Sequence, residues 1–183
     1  VLRESWWILR NAAREFVGTR LLTMGLDLRD PEQIRFEEIC QLRDEEGHAV
    51  RVSRLEICDG DLNPDELHYR EVFDGAATTV RATVKGATLE LETLDPEGRA
   101  QQVVPFPAHA TFPLLLGERV RRAPPQPGEK TDYEVFDPFV RTVARRTVRG
   151  EASRPFAFDK ETPKPHRVAV LLARGTESAS YFA

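Results

Sequence analysis

Residues 78–94 constrain the chain more than any other stretch. Lys85-Gly86 reads as a two-residue turn, with glycine free to take the positive φ such a turn needs. Centring a hairpin there pairs Val84 with Ala87, Ala82 with Leu89 and Val80 with Leu91 on one apolar face. The opposite face pairs Thr83 with Thr88, Arg81 with Glu90 and Thr79 with Glu92. A slip of one residue would destroy both sets, so the register is well specified. One buried face and one wet face is the pattern of an antiparallel sheet.

The same alternation recurs over 5–10, 15–28, 34–43, 48–58 and 67–74, and valine-, phenylalanine- and threonine-rich segments follow at 131–136, 139–149 and 166–173. Turn residues separate them at Asn11-Ala12-Ala13, Asp44 to Gly47, Asp59-Gly60, Asp74-Gly75 and Asp95 to Gly98. Only 109–122 departs. Phe112, Leu115, Leu116 and Val120 have helical spacing, and Pro113 suits a first turn, which predicts a short helix over about 111–120. Ala123 to Gly128 reads as an extended linker, and 123–130 as a possible subdomain boundary. The expectation is a mainly β chain forming one domain over 1–183. It would be a single curved antiparallel sheet or half-barrel of about ten strands with one short helix.

Composition narrows the functional classes. The chain has 183 residues, with 26 basic against 30 acidic side chains and a net charge of −4. With 40% hydrophobic and 31% charged residues it is too apolar for a disordered chain and too charged for a membrane-embedded one. No stretch approaches the roughly 20 apolar residues that span a bilayer. The mild acidity argues against nucleic acid as a partner. The first residue is Val1, and Ser180-Tyr181-Phe182-Ala183 reads as strand, so both ends are taken as cut and the chain as one module of a longer protein.

Several constellations have the residue types of a site. Asp59, Asp61, Asn63 and Asp65 alternate oxygens as a calcium loop does, with Glu66 next. Pro64 stands where such a loop turns on glycine, and Arg70 where a glutamate closes the shell. The plain alternative is a polar turn. Arg141, Arg145 and Arg149 make a basic stripe, read as a solvated strand face paired with acids. The histidines stand apart at 48, 68, 109 and 166, and the pair Cys58 and His68 lacks a third orienting group, so no catalysis and no cofactor are expected. With 34–43 and 48–58 as a hairpin around Glu45-Glu46, Cys40 lies opposite Arg51 and far from Cys58, which predicts free thiols. Trp6 and Trp7 must face opposite sides of their strand, one towards the core and one towards a neighbour or ligand. Phe106, Phe112, Leu114, Leu115 and Leu116 form an apolar cluster. It reads either as a core plug or as a lid over a cavity for an apolar ligand.

The order of these pieces resembles a known arrangement. Glu4-Ser5-Trp6-Trp7-Ile8-Leu9 and Phe16-Val17-Gly18-Thr19-Arg20 open it. Strands ending at Asp59-Gly60 and Asp74-Gly75 and the Val80 to Leu94 hairpin follow. Pro105-Phe106-Pro107, the leucine-rich stretch, Pro127-Gly128-Glu129 and Phe136-Asp137-Pro138 close it. The whole resembles the β-rich region that precedes the transglutaminase-like core in many bacterial proteins. It is also similar to periplasmic proteins whose curved sheet is like that of the envelope lipoprotein carriers. The resemblance implies an extracytoplasmic (periplasmic) setting and a helper role, with the papain-like catalytic residues in the following domain. It carries over no catalytic or binding residue.

The leading expectation is therefore a non-catalytic accessory domain, scaffolding or presenting substrate to a neighbouring domain of the same chain. A carrier for an apolar or lipid ligand in the concave face, built on Trp6, Trp7, Phe106, Phe112, Leu115 and Leu116, is the alternative. A calcium module at 59–66 is the second alternative.

Overall fold

Alternation of apolar and polar residues builds the strands, and the computed structural model describes residues 2–10, 16–43, 46–156, 164–173 and 176–182. The chain is mainly β and antiparallel, with one short helix, as the alternation predicts. It divides into two compact units, Val1–Ala108 and His109–Ala183.

The first unit is an eight-stranded meander in chain order. Its strands are β1 Arg3–Arg10, β2 Phe16–Leu26, β3 Ile34–Arg43, β4 Ala49–Cys58, β5 Pro64–Phe73, β6 Ala76–Lys85, β7 Thr88–Asp95 and β8 Gly98–Pro105. Each pairs only with its sequence neighbours, so β1 and β8 remain edges and the sheet does not close into a barrel.

Register sorts the side chains into two faces. One row across the sheet is Phe36, Glu56, Leu67, Ala82 and Leu91. With Glu38, Tyr69, Val80, Leu89, Thr93 and Val104 from adjoining rows it makes the buried centre of one face, the closed face. The alternate residues make an open face, where Ile57 is the one fully buried side chain among the described residues and Trp6, Leu94 and Val103 are exposed. The Val80 to Leu94 hairpin keeps its expected faces but not its expected pairs. Val84 meets Leu89, Ala82 meets Leu91 and Arg81 meets Glu92. The turn is centred one residue later than predicted. Gly86 takes φ 61° as the first central residue of the turn between Lys85 and Thr88, the position a type II′ turn gives to glycine. A shift of two in register leaves every side chain on its own face. The β3–β4 hairpin differs by one: Cys40 lies opposite Val52, not Arg51, because the loop from 44 to 48 has an odd number of residues.

The second unit holds α1 Pro113–Arg122 and a four-stranded meander, β9 Lys130–Asp137, β10 Thr142–Phe156, β11 Lys164–Ala173 and β12 Thr176–Phe182. Pro113 occupies the first turn of α1, as the sequence suggested. Leu116 and Val120 pack with Val135 and Val148, and Phe112 meets Phe136 edge to face with ring centroids 6.3 Å apart. The division falls at Ala108, and the proline-rich stretch after α1 is stitched to β10. Gly128 N–H donates to Gly150 O, and Gly150 N–H donates to Glu129 O, both at 2.9 Å. Gly150 permits that approach, since a Cβ there would stand 2.2 Å from Gln126 O. Thr111 likewise bridges to β9, which ties the residues before the helix to the same unit.

Candidate functional site: a polar trough on the open face

Two rows of the open face run side by side across β5–β8. One is His68, Arg81, Glu92 and Gln101; the next is Glu66, Thr83, Glu90 and Val103. These eight residues line a trough of about 720 Å³. A second, of about 220 Å³, adjoins it over β3–β6 and shares His68 and Arg81, with Glu37, Ser53, Leu55, Arg70 and Thr79 completing its open-face lining. No single strand creates this site. Each contributes an alternating pair, and pairing four strands in register assembles the block.

The charges in the trough are unevenly engaged. Glu66 meets Arg29 at 3.3 Å and His68 at 3.5 Å. Glu92 pairs with Arg99, which reaches in from outside the lining. Arg81 and Glu90 make no side-chain hydrogen bond or ion pair with any described residue. Burial pushes the His68 imidazole below its usual value, with the Glu66 carboxylate pulling the other way. His68 is therefore neutral at pH 7 and offers the trough one donor or one acceptor.

The opposite face handles charge differently. Glu38 is buried and accepts from Arg20 Nε, and Arg54 lies 3.4 Å from its other oxygen. The Arg54 guanidinium also sits over the Tyr69 ring, and Tyr69 O–H donates to Glu71 at 2.6 Å. Burial, then the neighbouring Glu38 carboxylate, push the Cys40 thiol up, so it is a poor nucleophile at neutral pH.

The residues singled out from sequence are dispersed. Trp6 lies on the open face of β1, 62% exposed, with Nε1 donating to Glu4 at 2.8 Å. The side chain of Trp7 lies outside the described residues. Phe106, Phe112, Leu115 and Leu116 are all buried, Phe106 in the first unit and the rest in the second, and they line neither trough.

The run from Asp59 to Asp65 folds as a hairpin turn. Asp59 Oδ1 accepts from the N–H groups of Asp61 and Asn63 at 2.9 Å, and Asn63 Nδ2 donates to Asp59 Oδ2 at 2.8 Å. Asp65 accepts from Gln33. These bonds turn the Asn63 amide nitrogen, not an oxygen, inward, and no group of three metal-ligating side chains occurs among the described residues. Cys58 and His68 project from opposite faces, and neither cysteine is in a disulfide. Of the basic stripe, Arg145 pairs with Asp132 and Arg149 with Glu151, while Arg141 sits in the turn before β10 with φ 60°. No described helix is long and apolar enough to cross a membrane.

Sequence reasoning missed the trough. Arg81, Thr83, Glu90 and Glu92 read as the wet face of one hairpin, Glu66 and His68 fall in other constellations, and β8 does not read as a strand at all.

No known protein family matches the chain, and no curated protein does either. Among solved structures it is similar to a DUF1089 family protein from Pseudomonas aeruginosa. That match has 14% sequence identity and a TM-score of 0.49, covering 87% of this chain and 82% of the other.

Proposed function

We propose that this chain is a non-catalytic presenting domain of a larger bacterial envelope protein, and that the presenting surface is the open face of the eight-stranded sheet. The observation that carries this reading is the trough itself. Two adjoining rows across β5–β8 bring carboxylate, guanidinium, imidazole, hydroxyl and amide groups together in one concave block facing water. The ligand it favours is polar. Of the side chains nominated for the apolar alternative, Phe106, Phe112, Leu115 and Leu116 are buried as core, and Trp6, exposed on β1, lines neither trough. The envelope setting and the neighbouring transglutaminase-like domain come from the resemblance of the sequence and are part of the same proposal.

Amide chemical shifts test it. A dipeptide, a hexose, inorganic phosphate and a fatty acid would each be titrated into the isotopically labelled chain. Movement of amides in Glu66 to Arg70, Thr79 to Thr83, Glu90 to Glu92 and Gln101 with any polar probe is the expected result. Movement with the fatty acid alone, or with no probe, overturns the reading.

A further inference from the structure

We infer that the trough is a dipolar site that takes a short peptide by both of its free termini. The inference rests on the reading above, that the open face takes a polar ligand, and names the ligand class. Three carboxylates line the trough with one guanidinium, yet the guanidinium reaches none of them. Glu66 is drawn off by Arg29, and Glu92 by Arg99. Register explains the remainder. Arg81 stands directly opposite Glu92, and Thr83 directly opposite Glu90, so Arg81 and Glu90 occupy diagonal corners of a square.

Diagonal neighbours on paired strands have Cβ atoms about 7 Å apart. An extended dipeptide separates its ammonium and carboxylate by a similar length, two residues at roughly 3.3 Å each. The carboxylate of such a ligand meets the fork of Arg81, and its ammonium meets Glu90. The Thr83 hydroxyl stands at a third corner of the square, beside the line between them and within reach of the single peptide group. A lone anion would face the surrounding carboxylates, and a lone cation would face Arg81. Only a ligand carrying both charges satisfies both corners. A single amino acid, with its charges roughly half as far apart, fits the diagonal less well.

The test uses the intact chain and glycylglycine in four forms: both ends free, N-acetylated, C-amidated and blocked at both ends. Affinity is read from amide shifts. Each block should weaken binding by about tenfold, the loss of one charge-assisted contact. In Arg81→Gln the C-terminal block should lose its effect while the N-terminal block keeps it, and Glu90→Gln should reverse that pattern. Both side chains face water, so both variants should retain the parent spectrum away from the trough. Equal affinity for free and blocked peptides, or penalties unchanged by the substitutions, would overturn the dipolar site. If the peptides fail while hexose or phosphate moves the same amides, this inference falls and the presenting face stands. If no probe moves them, both fall.

Discussion

The closed and open faces of the eight-stranded sheet are made by the same strands, residue by alternate residue, yet they treat charge in opposite ways. On the closed face Glu38 is held by Arg20 and Arg54, and Tyr69 by Glu71. On the open face Arg81 and Glu90 stand a strand apart and do not meet. Burial forces pairing, because an uncompensated charge out of water is costly. Water removes that constraint, so charge on the open face stays available to something else. The closed face is where stability resides, and the open face is where the proposal places the ligand.

The strongest way to break this comparison is to truncate one large apolar side chain on each face. Leu89 is fully buried, while Val103, on the neighbouring strand, is 64% exposed. Leu89→Ala should cost about 2–5 kcal/mol through lost burial and the cavity left behind. Val103→Ala should stay within about 0.5 kcal/mol. Urea midpoints of the two variants measure the difference, and similar losses would mean the two faces are not distinct.

Next in size is the buried ion pair. Glu38→Ala leaves the Arg54 guanidinium, which already has a buried Nε without a partner, further uncompensated. A loss of about 2–3 kcal/mol is expected. Combining Glu38→Leu with Arg54→Met should recover much of it, since replacing both charges by apolar groups of similar volume is often neutral. If the double variant is no better than the single one, the network is needed for more than mutual neutralisation.

Acid should sharpen the comparison in two steps. His68, on the open face, has its folded value depressed by burial, so the unfolded chain takes up the proton first. Stability should therefore begin to fall as pH drops below about 6.5, the unperturbed imidazole value, and level off below the folded one. Asp27 is buried, and the Arg29 guanidinium that grips it holds its carboxyl below the usual range. Its contribution is fully present above about pH 3.9 and is lost as pH falls through the folded value. His68→Gln should erase the first step and Asp27→Asn the second, read as urea midpoints across pH.

The faces were legible in the sequence because they depend only on period, and the trough was not because it depends on register. Val80, Ala82, Leu89 and Leu91 are buried as alternation predicts, although the hairpin pairs them two residues away from the expected partners. That same shift decides the site. Centred on Lys85-Gly86, the hairpin would put Arg81 opposite Glu90 as a neutralised pair. Centred on Gly86-Ala87, it puts them on a diagonal and leaves both charges open. The strand β8 escaped notice because Gln101-Gln102-Val103-Val104 does not alternate, and as an edge strand it buries only Val104. The helix was legible because Phe112, Leu115, Leu116 and Val120 share one helical face and Pro113 marks its start. The pairing of the proline-rich stretch with β10 was not legible, since nothing local shows that Gly128 and Glu129 bond to Gly150 across the chain.

The smallest expected effect is the most discriminating. Arg81→Gln removes a charge from among three carboxylates, so a structural role for Arg81 would appear as a loss of more than about 1 kcal/mol from mutual repulsion and a broken pair. The open-face reading expects less than about 0.5 kcal/mol, because Glu66 and Glu92 are neutralised by Arg29 and Arg99 and the side chain is solvated. Salt separates the two cases. A structural Arg81 would make the variant's deficit shrink as salt rises from low to physiological levels, through screening over about 8–10 Å. A free Arg81 has no deficit for salt to remove, and the urea midpoints of parent and variant should then coincide at every ionic strength while dipeptide binding separates them.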